Sequence, residues 1–128
     1  MMVTERQDNG DVLTGRIIKA AYMVAREIGR GLSEAIYQRA MTLELGEAGL
    51  QIDREVKYPV IFKGRQIGLY VADLIVERMV IVELKVYDGP IQPIHLAQCL
   101  NYMRLSTIPT GLVINFGRSR IESKRLIL

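Results

Sequence analysis

The chain is poor in the residues that staple or metallate small scaffolds. It has one cysteine, Cys99, and one histidine, His95, in 128 residues. A single thiol closes no internal disulfide, which removes the disulfide-framework class of secreted domain. One histidine and one cysteine are also too few for a structural zinc site. No apolar run approaches the roughly 20 residues that span a bilayer. The opening Met1-Met2-Val3-Thr4-Glu5-Arg6-Gln7-Asp8 lacks the apolar segment of a signal peptide. The expectation is a cytoplasmic protein without membrane contact. No internal repeat, low-complexity tract or linker interrupts it.

What is present is ordinary for a globular domain: 49% hydrophobic and 24% charged residues. The length suits one domain with a real core. We place it at residues 11–128, behind a polar, flexible stretch at residues 1–10. The net charge of +3 permits nucleic-acid binding without requiring it. Arg118, Arg120, Lys124 and Arg125 form the densest basic cluster. It reads either as a solvated edge or as a phosphate contact.

Leu13, Ile17, Ala20, Ala21, Val24 and Ile28 recur at helical spacing, predicting a helix over Asp11–Gly29. Ser33–Ala48 predicts a second, capped by Ser33 and ended by Gly49. On it Glu34, Tyr37, Met41, Leu45 and Ala48 share one face, so Glu34 is a carboxylate aimed inward. Strands are predicted over Asp53–Phe62, Gln66–Val76 and Val80–Val86, with Lys63-Gly64-Arg65 as the first turn. Pro93 opens a helix to about Leu105. Pro109–Phe116 is an apolar strand, and Arg120–Leu128 is a last one. Three meandering strands, a crossover helix and further strands make an α/β domain, a mixed sheet flanked by helices.

The unusual stretch is Asp73-Leu-Ile-Val-Glu-Arg-Met-Val-Ile-Val-Glu83-Leu84-Lys85. Apolar strands rarely carry charge unless it is paired or holds a metal. Glu83 and Lys85, two apart, share a strand face. A two-residue turn at Glu77-Arg78 would set Asp73 opposite Val82 and face it away from them. A three-residue loop, Glu77-Arg78-Met79, or a bulge brings Asp73 opposite Glu83, and one of these is predicted.

Asp73…Glu83-x-Lys85 resembles the PD-(D/E)XK nuclease superfamily, with Ala72 where a proline often precedes the aspartate. Gly31-Leu32-Ser33-Glu34-Ala35-Ile36-Tyr37 matches G-x-x-E-x-x-Y, the signature of its small GxxExxY branch. Gln98-Cys-Leu-Asn-Tyr102 is similar to the Q-x-x-x-Y motif of the recombination-nuclease branch. The resemblance runs from about Gly31 to Phe116. It implies an α-βββ-α-β core, with the first helix as an extra N-terminal layer. It also implies phosphodiester hydrolysis in nucleic acid, DNA favoured, with Mg²⁺ or Mn²⁺ as cofactor.

The implied site places the metal on Asp73, Glu83 and the backbone carbonyl of Leu84. Lys85 assists the attack, and Glu34 is a further ligand or base. The plain alternative is a buried carboxylate–lysine pair holding the sheet, with Glu34 a first-turn residue favoured by the helix dipole. Tyr37 is either a partner of a site carboxylate or a core residue. His95, Gln98 and Tyr102 fall on one face of the helix from Pro93 and are candidate supporting or substrate-contacting groups. Cys99, on the same face, reads as a small buried hydrophobe. Two rival functions remain. One is a nucleic-acid-binding module that does not cut. The other is a partner-dependent subunit, such as a homodimer through an added strand at Leu126-Ile127-Leu128.

Overall fold

The computed structural model describes residues 2–4 and 12–128. Its elements are β1 (Met2–Thr4), α1 (Val12–Ile28), α2 (Glu34–Glu47), β2 (Ile52–Phe62), β3 (Arg65–Val76), β4 (Val80–Lys85), α3 (Pro93–Ser106), β5 (Thr110–Asn115) and β6 (Glu122–Ile127). Among the described residues they form one six-stranded sheet of order β1-β6-β5-β4-β3-β2. Only β4 and β5 run parallel; the remaining pairs are antiparallel. A parallel pair needs a crossover, and α3 supplies it.

The sheet is covered on both faces. On one, Ile17, Ala21 and Val24 of α1 and Tyr37, Met41 and Leu45 of α2 meet Val80, Val82, Leu84, Leu112 and Ile114. On the other, Cys99, Leu100 and Met103 of α3 meet Ile81, Val113 and Leu126. Alternate residues of β4 therefore serve opposite layers, as strand geometry requires. Among the described residues no helix is long and apolar enough to cross a membrane.

Met2–Thr4 lies in the stretch read as flexible, yet it pairs with β6 as an edge strand. Residues 1 and 5–11 lie outside the described residues. The same pairing places β1 along β6 from Arg125 to Ile127, the edge proposed to recruit a second copy. Ser33 has the extended backbone of a helix cap, but its side chain makes no capping bond.

Close approaches hold the layers at fixed spacing. A methyl group at Gly111 would lie 2.7 Å from the sulfurs of Cys99 and Met103, so glycine there seats α3 directly on β5. A methyl at Gly117 would collide with the Tyr87 carbonyl oxygen, where rigid backbone cannot give way. Gly117→Ala is expected to cost about 1–3 kcal/mol or more by overpacking. Urea unfolding of this variant against wild type measures it.

Candidate active site

The site forms where β3 and β4 part. Their ladder runs Val76↔Val80, Ile75↔Ile81 and Leu74↔Val82, then stops. The connection is the three-residue loop Glu77-Arg78-Met79, with Glu77 and Arg78 at positive φ. That loop length sets Asp73 level with Glu83, as predicted. Here side chains replace the backbone ladder. The Asp73 amide donates to Glu83 Oε2 at 3.1 Å, and the Leu84 amide donates to Asp73 Oδ2 at 2.8 Å. Each carboxylate spends one oxygen on a backbone N–H. The other oxygen takes no protein hydrogen bond among the described residues.

A backbone inversion aims Asp73 into this seam. Ala72 packs in the α3-side core, whereas Leu74 and Val76 pack under α1 and α2. Residues two apart should share a face, so the pleat turns over at Asp73. On the neighbouring strand Ile52 packs under α1 and α2 while Val56 packs under α3. The pairs Arg54↔Leu74 and Val56↔Ala72 keep one register across the flip. Between them, opposite Asp73, Glu55 sits at φ 50°, a strained conformation for a residue with a side chain.

Burial penalises charge in the seam. Glu83 is 3% exposed. Its carboxyl is pushed up to about 8, first by burial and then by the neighbouring Asp73; the Asp73 amide and Lys85 oppose this. Asp73 is raised too, by burial first and also by Glu34, against the Leu84 amide and Lys85. Glu34 is exposed in the first turn of α2 and near enough for its charge to act on Asp73, Glu83 and His95.

Lys85 lies on the same face as Glu83, and its Nζ donates to Gln98 Oε1 at 3.1 Å. Among the described residues the only ion pair is Arg78–Asp53, at 4.0 Å. Lys85 is therefore not bridged to either carboxylate. Tyr102, one turn beyond Gln98, packs edge-on against Tyr70 at 4.9 Å between centroids. Burial, then the charges of Glu83 and Asp73, push its phenol to about 12, so it stays a donor. His95 Nδ1 accepts from the Gln92 amide at 2.9 Å, closing a cap on α3. Its proton then rides on Nε2. Burial, with Lys85 behind it, lowers its pKa, keeping the ring neutral near pH 7. Cys99 is buried and its thiol is pushed up to about 12 by burial, an inert group.

Tyr37 does not reach the carboxylates. It is fully buried, stacked on Phe116 at 4.1 Å. Its hydroxyl donates to the Gly29 carbonyl at 2.7 Å and accepts from the Leu32 amide at 3.2 Å. It pins the α1–α2 turn, in which Gly29 and Gly31 both have φ 79°, and so fixes where Glu34 begins α2.

Three supports escaped the sequence reading. Gln38, 9% exposed, donates to the Asp73 carbonyl at 3.1 Å, tying α2 to β3. Its place one turn after Glu34 was the available signal. Asn115 is buried and bonds Tyr87, Gly89 and Gly117, closing the loop after Lys85. Glu122 accepts from the Ile91 amide at 2.8 Å. The basic cluster is dispersed: Arg118 and Arg120 are exposed in the β5–β6 loop, while Lys124 and Arg125 lie within β6.

A mixed α/β sheet thus carries two acids and a lysine at a broken strand seam. The model of the PD-(D/E)XK nuclease superfamily matches residues 11–126, and the chain belongs to that superfamily. Its fold is shared by the crystal structure of SSO0001, with TM-score 0.54 at 18% identity over 90% of this chain. The chain spans 57% of the length of that protein. No curated protein matches it.

Two predictions follow from the seam. Glu83 titrates near 4.5 ordinarily and near 8 when folded. The fold thus favours the protonated form. That stabilisation is complete below the lower value and is lost as pH rises through the upper one. In chelator, wild type should lose stability between about pH 5 and 9, and Glu83→Gln should lose less, keeping only the share due to the raised Asp73 carboxyl, and end more stable by on the order of a few kcal/mol. Thermal unfolding across pH reads this. At the inversion, Glu55→Gly should be neutral or stabilising, while Glu55→Val costs about 1–3 kcal/mol, reversing the usual strand preference for valine. Denaturant midpoints of the two variants decide it.

Proposed function

We propose that the protein is a divalent-metal-dependent nuclease that hydrolyses phosphodiester bonds in nucleic acid, with DNA favoured over RNA. We also propose the GxxExxY branch as its place in the superfamily, on the spacing of Gly31, Glu34 and Tyr37. The observation that carries the reading is the seam itself. A buried carboxylate, Glu83, and a half-buried one, Asp73, face each other with an oxygen to spare apiece, and the nearby lysine is not spent in neutralising them. A lysine–carboxylate pair holding the sheet would look different.

The donor set fits a hard cation. Among the described residues no group of three His, Cys, Asp or Glu could hold a metal alone. Mg²⁺ needs no such cage, since it keeps several waters and shares its sphere with substrate phosphate. Asp73 and Glu83 would hold it, with the Leu84 carbonyl on the strand edge whose amide already meets Asp73. When bound, the cation polarises the phosphate and lowers the pKa of the attacking water. Glu34 lies at the mouth as acceptor for the water's proton. Lys85, oriented by Gln98, offsets charge developing on the phosphoryl oxygens. Tyr102 and His95 Nε2 supply neutral donors on the same side.

Isothermal titration of Mn²⁺ tests the reading. Wild type should bind, with protons released and affinity rising from about pH 6 to 8 as the carboxyls ionise. The Asp73→Ala, Glu83→Ala double variant should not bind. Lys85→Ala should keep Mn²⁺ affinity yet lose cleavage of plasmid or oligonucleotide DNA by about 100-fold or more. Wild type that binds DNA and Mn²⁺ but cuts neither DNA nor RNA would leave a non-cleaving binding module.

A further inference from the structure

We propose that the groove between α1 and the β5–β6 loop binds a single-stranded nucleic-acid segment and leads it to the carboxylate seam; this rests on the nuclease reading above. The groove encloses about 420 Å³. Lys19 and Arg26 reach it from α1, two turns apart on one face, and Arg120 reaches it from the loop. All three are exposed. Among the described residues no acidic residue lines the groove and none of the three cations is in an ion pair. Unneutralised cations gathered from two elements into one concavity draw an anion, and their spread along the groove suits a chain of phosphates better than a single one.

Tyr22 lies in the same lining, between Lys19 and Arg26, and is 53% exposed. An exposed ring among phosphate-binding cations offers a stacking platform to an unpaired base, and a duplex hides its base faces. This favours single strands over duplex. Both walls of the groove join, along the chain, elements that border the site. Arg26 lies in the last turn of α1, and the turn that follows bonds the Phe116 carbonyl through the Gly31 amide before α2 starts at Glu34. The loop carrying Arg120 leaves β5 beside Lys85, since Asn115 and Lys85 are register partners.

The test is fluorescence anisotropy in EDTA with a short labelled oligothymidylate and a hairpin duplex of equal length, over a range of salt. Wild type should bind the oligothymidylate more tightly. The Lys19→Ala, Arg26→Ala, Arg120→Ala variant should lower the salt slope by about 2, as three lost single-strand phosphate contacts require. Tyr22→Ala should weaken oligothymidylate binding about 5- to 100-fold with the slope kept. A control of equal charge loss on the β2–β3 hairpin, Lys57→Ala, Lys63→Ala, Arg65→Ala, should change affinity far less. No binding by wild type, duplex preferred, or equal losses in the groove and control variants would each overturn the proposal. Mn²⁺ titration of the groove variant reads the carboxylate site separately. Unchanged Mn²⁺ binding with unchanged DNA binding removes the groove alone, whereas absent Mn²⁺ binding with a groove-dependent DNA signal removes the nuclease reading alone.

Discussion

Holding two carboxylates, Glu83 buried and Asp73 half-buried, in a gap between neighbouring strands is the constraint on which this end of the molecule depends. Past Leu74↔Val82 the β3–β4 ladder gives way to two side-chain bonds, from the Asp73 amide to Glu83 and from the Leu84 amide to Asp73. Those bonds satisfy backbone donors that the parting of the strands exposes. They also fix the two acids against each other before any ligand arrives. The arrangement is electrostatically costly, as the upward shifts of both acids show. A fold selected for stability alone would put amides or apolar residues there.

Much of the surrounding structure serves to keep that gap in shape. Gln38 holds the Asp73 carbonyl from α2, and the inverted pleat at Glu55 and Asp73 directs the aspartate into the seam. Asn115 and Gly117 fix the loop that follows Lys85. Tyr37 and Phe116 anchor the turn before Glu34. Gly111 lets α3 approach closely enough for Gln98 to orient Lys85. None of these supports would contact substrate, yet each sets the position of a group that would.

Superfamily membership and fold stand on the match over residues 11–126 and on the shared architecture of a protein only 18% identical. Function cannot be carried by the fold alone. The side chains carry the proposal instead: spare carboxylate oxygens, an unbridged lysine, and neutral donors on one side of the sheet.

The order of elements, the three-residue loop, the crossover helix and the convergence of Asp73, Glu83 and Lys85 were legible because hydrophobic periodicity and strand register are local rules. Charges inside apolar strands announced themselves for the same reason. Tertiary structure alone decided the rest. The sequence left Tyr37 open between core and site, and its stacking on Phe116 across the chain settled its place. β1 was hidden because three residues carry almost no periodicity, and only a partner strand makes them one. The pleat inversion at Glu55 breaks the alternation on which strand reading depends. Gln38 and Asn115 became structural because distant backbone groups, the Asp73 carbonyl and the Tyr87 amide, arrived beside them. A buried polar side chain is defined by the partner the fold brings to it, and that partner is set by the packing of elements far apart in the chain.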